Sequence, residues 1–536
     1  MMKKNFFIPT LLIAFVFIAS AQSRRPTGAN FNPVTAAKTP QKIQLSLRSF
    51  KDMPTSYSLE KYCPTPGDQG QHGTCVAFAN GYGVATILYA KTHNLTDKAL
   101  IDKYAFSASY LYEQIKDPKD ADCQNGSDPI DALVSMIKGG DALLSTVPYQ
   151  CGPTVTETAK SEAANYKIQD AAILFAAKGF LTDDKYVKTP EQMVEVTKKA
   201  LMEGTPVSTG FYLPESFFHI TTDVWYTKGD DTLSNWKHSG HAMTVVGFDD
   251  NKAGGAFRVL NSWGTDWADH GFIWIRYNDF TQWCVEALQA FADPLTPEPA
   301  EKHHDDPKPE PKPDPVPDPK PDPKPVPANN TISLSGSLEF KLNTGEDMPV
   351  NKISSRNLVV EEDAKGKEDL VAYTMMNSYT SGSKFRFYMN IDQEAYVYAF
   401  ATDLTGKINR ILPYDDLIST HVGSNSVVAF PSDTKIIKLD DNRGTDYLLI
   451  LYSKEPLNMN EMMNEMNKTQ GGLSAKIIAA LGDKLIAKEK IKYDGNKAGF
   501  QVNVNLKSRN LNVADDNNDD AATGTVVPLM IEIKHD

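Results

Sequence analysis

The feature that most constrains the fold of this 536-residue chain is an unbroken alternation of proline from Pro307 to Pro327, "PKPEPKPDPVPDPKPDPKPVP". Alternate prolines remove backbone donors and fix φ, so neither a helix nor a sheet can form across this stretch. A polyproline II rod of this length would extend roughly 65 Å, at about 3.1 Å per residue. We therefore predict a Pro-rich linker over residues 294–328 that holds two bodies apart. A role as a ligand for proline-binding domains is the alternative.

The first residues have the pattern of a signal peptide. Lys3 and Lys4 precede the apolar stretch "FFIPTLLIAFVFI", and the small residues Ala19 to Ala21 form a cleavage site. We expect residues 1–21 to be removed and the mature chain to be exported, either to the periplasm or to the cell exterior. No later stretch has the ~18 consecutive apolar residues that a membrane helix requires, so no transmembrane segment is expected in the mature chain.

Composition indicates which classes of partner are unsuitable and in which redox environment the cysteines lie. The net charge is −13 and no basic stripe is interleaved with aromatic residues, so nucleic acid and anionic membranes are poor candidate partners. Export places the cysteines where disulfides persist. Their number is odd, so at least one is free or paired with another molecule. The five are Cys63, Cys75, Cys123, Cys151 and Cys284.

The chain on either side of the linker shows two different patterns. Residues 56–293 begin with helix-like segments such as "CVAFANGYGVATILYAKTH" and "DPIDALVSMIKGG", and end with strand-like ones such as "PVSTGFYL" and "GFIWIRYN". This order predicts an α+β domain with a helical lobe and a β-sheet lobe. Residues 329–536 are strand-rich and predict a β-rich accessory domain, with one helical stretch after residue 459. Residues 22–55 are a short N-terminal segment.

The stretch "DQGQHGTC" (68–75) is the first that contains side chains able to act as a nucleophile or as an acid or base. Cys75 begins an apolar-faced helix, whose positive end and a neighbouring imidazolium would stabilise a thiolate. The alternative is a small buried cysteine in an ordinary core helix. Gly81 and Gly83 lie within the same helix, where glycine is unfavourable, so we expect something to pack closely against them.

Later motifs favour the nucleophile. "HSGHAMTVVGFDD" places His241 at the start of a buried strand, and "VLNSWGTDW" places Asn261 at the end of the next. A thiol nucleophile needs a base, and the base needs a third group to orient its ring. An asparagine oxygen can accept the imidazole N–H without adding charge. His238 and His270 are competing candidates for the base.

Taken together, residues 56–293 resemble the papain-like cysteine peptidases. The resemblance lies in Gln69 followed by Cys75 and an Ala-Phe pair, in "GHAMTVVGF", and in "NSWGTDW…GFIWI". It implies that Gln69 and the Cys75 amide form an oxyanion hole, and that His241 is the base and later the acid. It further implies that Asn261 orients His241, and that Trp263 covers the His–Asn hydrogen bond from water.

The chain also departs from the family's pattern. His72 stands where the family has a cysteine, and Val76 stands where a tryptophan is usual. The glycine pair that binds substrate backbone is reduced to "CQNGSDP", which leaves Gly126 as its counterpart. Only some thirty-five residues separate the leader from the domain, so we expect the helical inhibitory propeptide of the family to be absent.

The departure at position 72 also bears on the disulfides. By resemblance, Cys123 lacks its usual partner and Cys151 lacks its own. Both flank the "DPIDALVSMIKGG" helix, so we expect a Cys123–Cys151 bridge. Elimination then leaves Cys63 to pair with Cys284.

The tail, from about Phe385 to Leu457, resembles an uncharacterised bacterial β-rich domain and implies no chemistry of its own. It has no metal-ligand spacing, and we expect neither a metal nor another cofactor. We expect an exported cysteine endopeptidase acting on protein or peptide substrates, with an accessory domain that docks an unknown protein or surface partner. The alternatives are a catalytically silent papain-like peptide-binding module and a transpeptidase that uses the same acyl-enzyme.

Overall fold

The computed structural model of the protein describes seven ranges of the chain. These are residues 25–181, 183–231, 240–299, 331–353, 370–402, 407–505 and 524–536. The signal peptide and the alternating prolines lie outside them, so both stay predictions. Within these ranges no helix combines the length and the apolar character needed to cross a bilayer.

The first half of the chain contains the helices that the sequence predicted, together with several shorter ones. The longest begins at Cys75 and runs to Thr92, with a π-helical middle at Phe78–Ala85. The helices are α1 (Pro33–Ala36), α2 (Cys75–Ala77), α3 (Thr86–Thr92), α4 (Lys98–Lys103), α5 (Ala108–Ile115), α6 (Pro129–Gly139), α7 (Glu157–Ala163), α8 (Pro190–Met202) and α9 (Tyr277–Trp283).

The glycines of the long helix allow the close packing that the sequence predicted. A Cβ on Gly83 would lie 2.4 Å from Oγ1 of Thr244, and a Cβ on Gly81 would lie 2.4 Å from Oδ2 of Asp141. The hydroxyl of Thr244 also donates to the carbonyl of Ala79, at 2.8 Å. The helix can therefore approach the strand that carries Thr244 more closely than any side chain would permit.

An eight-stranded sheet forms the second lobe of this half. Its order is β2-β8-β3-β5-β6-β7-β4, with β1 paired to β5. The strands are β1 (Ser56–Ser58), β2 (Ile168–Ala176), β3 (Val207–Tyr212), β4 (Val224–Trp225), β5 (Gly240–Asp249), β6 (Ala256–Leu260), β7 (Phe272–Arg276) and β8 (Cys284–Ala292). One hydrophobic cluster fills the helical lobe and another fills the sheet lobe, which is the two-lobed α+β architecture that the sequence predicted.

The C-terminal half is β-rich, as the sequence predicted. One of its two sheets has the order β10-β11-β21-β18-β13-β14, with β15 on β13. The other has the order β16-β12-β9-β20-β19, with β17 on β12. The strands are β9 (Thr331–Leu342), β10 (Val350–Lys352), β11 (Val371–Met375), β12 (Lys384–Ile391), β13 (Ala395–Thr402), β14 (Ile408–Leu412), β15 (His421–Val422), β16 (Ser426–Phe430), β17 (Ile437–Lys438), β18 (Gly444–Ser453), β19 (Lys492–Tyr493), β20 (Ala498–Asn505) and β21 (Val526–His535).

Alternation along β18 shows how this domain is layered. Leu448 and Ile450 point into a core that is shared with the second sheet. Leu449 and Leu451 point the other way, into a cluster with the helices α10 (Met459–Lys468) and α11 (Leu473–Leu481). The domain is therefore a two-sheet sandwich with a helical pair covering one outer face.

The two halves of the chain are in direct contact, so the prediction that a spacer holds them apart is wrong. The ring of His421 stacks on that of Phe291 with their centroids 3.8 Å apart. Oγ of Ser426 donates to Oε1 of the buried Glu203, at 3.0 Å. Alternating prolines stiffen a linker locally but do not set the direction in which its ends leave. They therefore cannot prevent two complementary surfaces from meeting.

Candidate active site

Cys75 is the first residue of the long helix, and a tightly held loop presents it. Within this loop Gly70 has a φ of +61°, and its N–H donates to Oδ1 of Asp68 at 2.8 Å. The N–H of Gly73 donates to the carbonyl of Cys123, at 2.7 Å. The Cys75 side chain is fully buried, at the positive end of the helix.

His241 and Asn261 come from neighbouring strands of the sheet lobe. His241 is the second residue of β5, and Asn261 follows directly after β6, which pairs with β5. Nε2 of His241 lies 2.7 Å from Oδ1 of Asn261, while Nδ1 of the buried ring has no hydrogen-bond partner. The backbone of Ala242, the residue after His241, hydrogen-bonds the Cys75 thiol. The structure therefore brings the predicted thiol, imidazole and amide together, with one imidazole nitrogen held and the other free.

Trp263 lies against this pair. Its ring stacks on that of His241 with centroids 4.8 Å apart and an interplanar angle of 30°. Trp263 is only 1% exposed, and the rings of Phe217 and Trp267 pack around it. An indole in this position excludes water from the hydrogen bond between His241 and Asn261.

Gln69 is held in place by a residue that the sequence analysis did not single out. Oγ of Ser262 donates to Oε1 of Gln69, at 2.6 Å. Nε2 of Gln69 donates to the carbonyl of His72 at 2.8 Å, and lies 3.3 Å from the carbonyl of Pro26. Ser262 immediately follows Asn261, so its place in the "NSWG" motif was the available signal.

Burial sets the protonation states of the described site. Desolvation raises the pKa of Cys75 to about 12, although backbone hydrogen bonds from Ala242, Val76 and Gly28 oppose it. Desolvation also lowers the pKa of His241 to about 4, although the hydrogen bond with Asn261 acts to raise it. At neutral pH both groups are therefore uncharged in this conformation.

The alternative bases do not compete within the described residues. His270 lies exposed in the turn before β7, with a φ of +52°. His238 lies outside the described residues.

The cysteines divide into one bridge and three thiols. Cys123 and Cys151 form a disulfide, as predicted. Cys63 and Cys284 are both free, so the predicted second bridge is wrong. Each thiol instead donates to a backbone carbonyl, Cys63 to Leu59 at 3.7 Å and Cys284 to Glu286 at 3.2 Å. Buried thiols that have such acceptors within a packed core do not need a bridge.

The N-terminal segment crosses the cleft in an extended conformation. The amides of Gly28 and Ala29 both donate to the carbonyl of Gly240, beside His241, at 2.9 Å. The carbonyl of Pro26 lies 3.3 Å from Nε1 of Trp263. A Cβ on Gly28 would lie 2.1 Å from the carbonyl oxygen of Gly73, so only glycine fits there. A helical propeptide was not expected, and this segment covers Cys75 without one.

Gly126 lies at the other wall of the cleft, but the backbone of Ser127, not that of Gly126, makes the hydrogen bonds to the N-terminal segment. The N–H of Ser127 donates to the carbonyl of Gly28, and the N–H of Asn30 donates to the carbonyl of Ser127, both at 2.9 Å. The N–H of Gly126 donates to the hydroxyl oxygen of Tyr112, at 3.1 Å. A Cβ on Gly126 would lie 2.1 Å from the Gly28 carbonyl, so its contribution is to let the segment approach.

Phe31 packs against the sheet lobe near two buried carboxylates. Its ring lies 5.1 Å from that of Tyr212 and directly over Gly210. Glu286 pairs with Gly210 across the sheet and so faces the same side. Burial raises the pKa of Glu286 well above its ordinary value and that of Asp128 to about 6. Neither carboxylate was predicted from the sequence, because isolated acidic residues carry no motif.

These features define a class of protein domain. A helical lobe presents a cysteine at a helix start, and a sheet lobe presents a histidine held by an asparagine and shielded by a tryptophan. That combination is the site of a two-lobed cysteine peptidase.

Residues 55–292, less than half of the chain, match the family model described as "Papain family cysteine protease". This part of the chain is a papain-like cysteine peptidase domain. Residues 378–456 match a second model, described as "Domain of unknown function (DUF4384)".

Similar proteins come from several organisms. The chain is 26% identical over 228 residues to cysteine proteinase 3 of Entamoeba histolytica, covering 42% of this chain and 63% of that protein, which is less than two thirds of its length. It is 26% identical over 272 residues to cathepsin B-like CP2 of Giardia intestinalis, covering 50% and 77%. Xylellain, a cysteine protease from Xylella fastidiosa, has a solved structure with a TM-score of 0.39, 19% identity and coverage of 50% and 98%.

Proposed function

We propose that this protein is an exported cysteine endopeptidase that hydrolyses peptide bonds through an acyl-enzyme on Cys75. The observation that carries the proposal is the 2.7 Å contact between His241 and Asn261. It leaves Nδ1 of His241 without a hydrogen-bond partner. A catalytically silent peptide-binding module has no need of a held imidazole beside a thiol, so this observation favours the enzyme.

Each residue then has a defined step. His241 takes the thiol proton, and the Cys75 sulfur attacks the peptide carbonyl carbon to form a tetrahedral oxyanion. Nε2 of Gln69 and the Cys75 amide donate to that oxygen. His241 gives its proton to the leaving amine as the C–N bond breaks. A water then loses a proton to His241, attacks the thioester and releases the acid and the thiol.

The described conformation supports a latent state. The segment from Pro26 to Phe31 covers the cleft, and the thiol and imidazole are both uncharged there. A substrate would need the space that this segment occupies. We therefore include in the proposal that the segment must leave, or be cut, before the enzyme acts.

Export rests on two observations of different kinds. The N-terminal sequence has the charged, apolar and small-residue regions of a signal peptide. The Cys123–Cys151 disulfide is of the kind that persists in oxidising compartments outside the cytosol.

Mass spectrometry of the intact chain during turnover tests the mechanism. The chain is incubated with a peptide ester, quenched in acid and digested. A mass increase equal to the acyl group should appear on the peptide that contains Cys75, and should be absent in Cys75→Ala. Adding a free amine to the same reaction separates hydrolysis from transfer, because a transpeptidase would convert most of the product to the amide. An acyl group on another residue would contradict the proposal.

A further inference from the structure

Residues 41–49, the strap, lie between the peptidase domain and the C-terminal domain, and their last three residues begin a short 3₁₀ helix (Leu47–Phe50). The N–H of Gln41 donates to the carbonyl of Leu417 at 2.7 Å, and the N–H of Ser419 donates to the carbonyl of Gln41 at 2.9 Å. On the opposite side, the N–H of Lys42 donates to the carbonyl of Ile173 in β2, at 2.8 Å. The strap thus has backbone pairing with both bodies at once.

The strap contributes an apolar side chain to the C-terminal domain. Ile43 is only 3% exposed and belongs to the hydrophobic core shared by the two sheets of the sandwich. Leu412 and Val428 line the same recess. Burying an isoleucine side chain removes a large apolar surface from water, so this single contact is a substantial anchor.

Polar contacts follow three residues later along the strap. Oγ of Ser46 donates to Oδ1 of Asp433, and the N–H of Leu47 donates to Oδ2, both at 2.8 Å. The N–H of Ser46 also donates to the carbonyl of Val427, at 2.8 Å. One carboxylate of the C-terminal domain therefore receives two hydrogen bonds from consecutive residues.

Arg48 and Ser49 make the last contacts of the strap. The guanidinium of Arg48 lies over the ring of Tyr388, 3.4 Å from its centroid, and pairs with Glu339 at 2.9 Å. Ser49 donates from its hydroxyl to the carbonyl of Val427, at 3.0 Å. The bound pattern is therefore a peptide that ends in a 3₁₀ turn, with Ile43, Ser46 and Arg48 as its anchoring side chains.

We propose that the C-terminal domain is a peptide-binding domain whose ligand in this chain is the strap, and that it thereby holds the preceding segment in the active-site cleft. The proposal rests on the function proposed above, because it concerns access to the same site. Nine residues, 32–40, lie between Phe31 in the cleft and Gln41 in the strap, and they include α1. Anchoring one end of a short tether raises the effective concentration of the other end, typically strengthening occupancy by about 10²–10⁴-fold.

A substitution in the full-length chain tests the anchor. Ile43→Asp places a carboxylate in an apolar recess and should release the strap. The matched control is Ile478→Asp, the same change at a side chain that is 43% exposed on α11. Hydrogen–deuterium exchange over residues 25–50 and the rate of alkylation of Cys75 are both measured. We expect exchange and alkylation to rise at least about tenfold in Ile43→Asp and to stay unchanged in Ile478→Asp.

A second arm keeps the test valid if Ile43→Asp fails to fold. The synthetic peptide "PQKIQLSLRS", with the sequence of residues 40–49, is added in excess to the unaltered chain. It should compete with the strap and raise alkylation of Cys75, whereas the same peptide with aspartate in place of isoleucine should not. Asp433→Ala, which removes two hydrogen bonds at the surface, should act in the same direction.

The outcomes separate this proposal from the proposed function. A released strap with residues 25–31 still protected and Cys75 still unreactive would overturn the holding role. A strap that stays protected in both Ile43→Asp and Asp433→Ala would overturn the binding site itself. Rapid alkylation without hydrolysis of any peptide would leave this inference standing and contradict the endopeptidase.

Discussion

Nε2 of His241 lies 2.7 Å from the side-chain oxygen of Asn261, and the Trp263 ring covers the pair. This single hydrogen bond selects the tautomer of the imidazole, because Nε2 must carry the proton that it donates to an amide oxygen. Nδ1 is then left as the unprotonated nitrogen, and it has no hydrogen-bond partner in the described structure. The relationship assigns each ring nitrogen a separate task.

Replacing the two partners should therefore have unequal effects. His241→Ala removes the proton carrier and should lower kcat/KM by about 10²–10⁴-fold or more. Asn261→Ala removes only the orienting group and should leave measurable activity. Both are measured on a fluorogenic peptide, with thermal unfolding as the control for folding. Equal losses in the two variants would contradict the division of roles.

Ser262 should act through Gln69. Ser262→Ala removes the hydrogen bond that holds Oε1 of Gln69, so the oxyanion donor becomes mobile. Gln69→Ala should cost about 2.7–4 kcal/mol of transition-state stabilisation, and Ser262→Ala should cost less. We expect kcat to fall while KM changes little, because the donor is used in the transition state. In the double variant, Ser262→Ala should add nothing to Gln69→Ala, and an additive loss would count against the coupling.

The pH dependence of thiol reactivity should report whether the cleft is covered. In the described conformation the pKa of Cys75 is about 12 and that of His241 about 4, both because of burial. Between pH 6 and 9 the imidazole is then neutral, and the thiolate fraction rises about tenfold per pH unit. Alkylation of the unaltered chain should follow that slope.

Once the segment leaves, water and substrate groups can solvate the pair and an imidazolium can stabilise the thiolate. Alkylation should then level off below the ordinary pKa of a free cysteine, about 8.5. The comparison uses Ile43→Asp against the unaltered chain. Identical slopes in a chain whose segment exchanges freely would show that burial by the segment does not control the thiol.

The disulfide should contribute to stability without entering the chemistry. Cys123 and Cys151 are separated by 28 residues, and closing such a loop contributes roughly 3–4 kcal/mol in the chain-entropy model. Cys123→Ser should lower the midpoint of chemical denaturation accordingly. Non-reducing peptide mapping should recover Cys63 and Cys284 as free thiols, and a peptide linking those two would contradict the structure.

The sequence predicted the parts of the site that are local. The sequence alone could place Cys75 at a helix start and His241 and Asn261 at strand ends. Each of these residues lies in a short motif whose secondary structure follows from its own residues. The sequence could not show that the Cys63 thiol is free, because pairing by elimination ignores whether a backbone carbonyl already accepts a hydrogen bond from each thiol.

The segment that covers the cleft and the contact between the two domains could not be predicted from the sequence either. Residues 26–31 bind largely through backbone amides and carbonyls, which leave no side-chain periodicity to read. The strap carries an Ile, a Ser and an Arg that look ordinary until the domain that receives them is folded. The alternating prolines suggested separation, because linker stiffness is visible in a sequence and interface complementarity is not.

The central claim is that Cys75 serves a peptidase site that the chain's own N-terminal segment covers. Gly28→Ala tests it most directly, because the new Cβ would lie 2.1 Å from the carbonyl oxygen of Gly73 and must push the segment out. Gly139→Ala is the matched control, since nothing lies within 4 Å of a Cβ there.

The measurement is the initial rate of fluorogenic-peptide hydrolysis by the full-length chain. We predict that Gly28→Ala is at least about tenfold faster than the unaltered chain, that Gly139→Ala is not, and that adding Cys75→Ala to Gly28→Ala abolishes hydrolysis. An unchanged rate in a folded Gly28→Ala chain, or hydrolysis that persists without Cys75, would contradict the account.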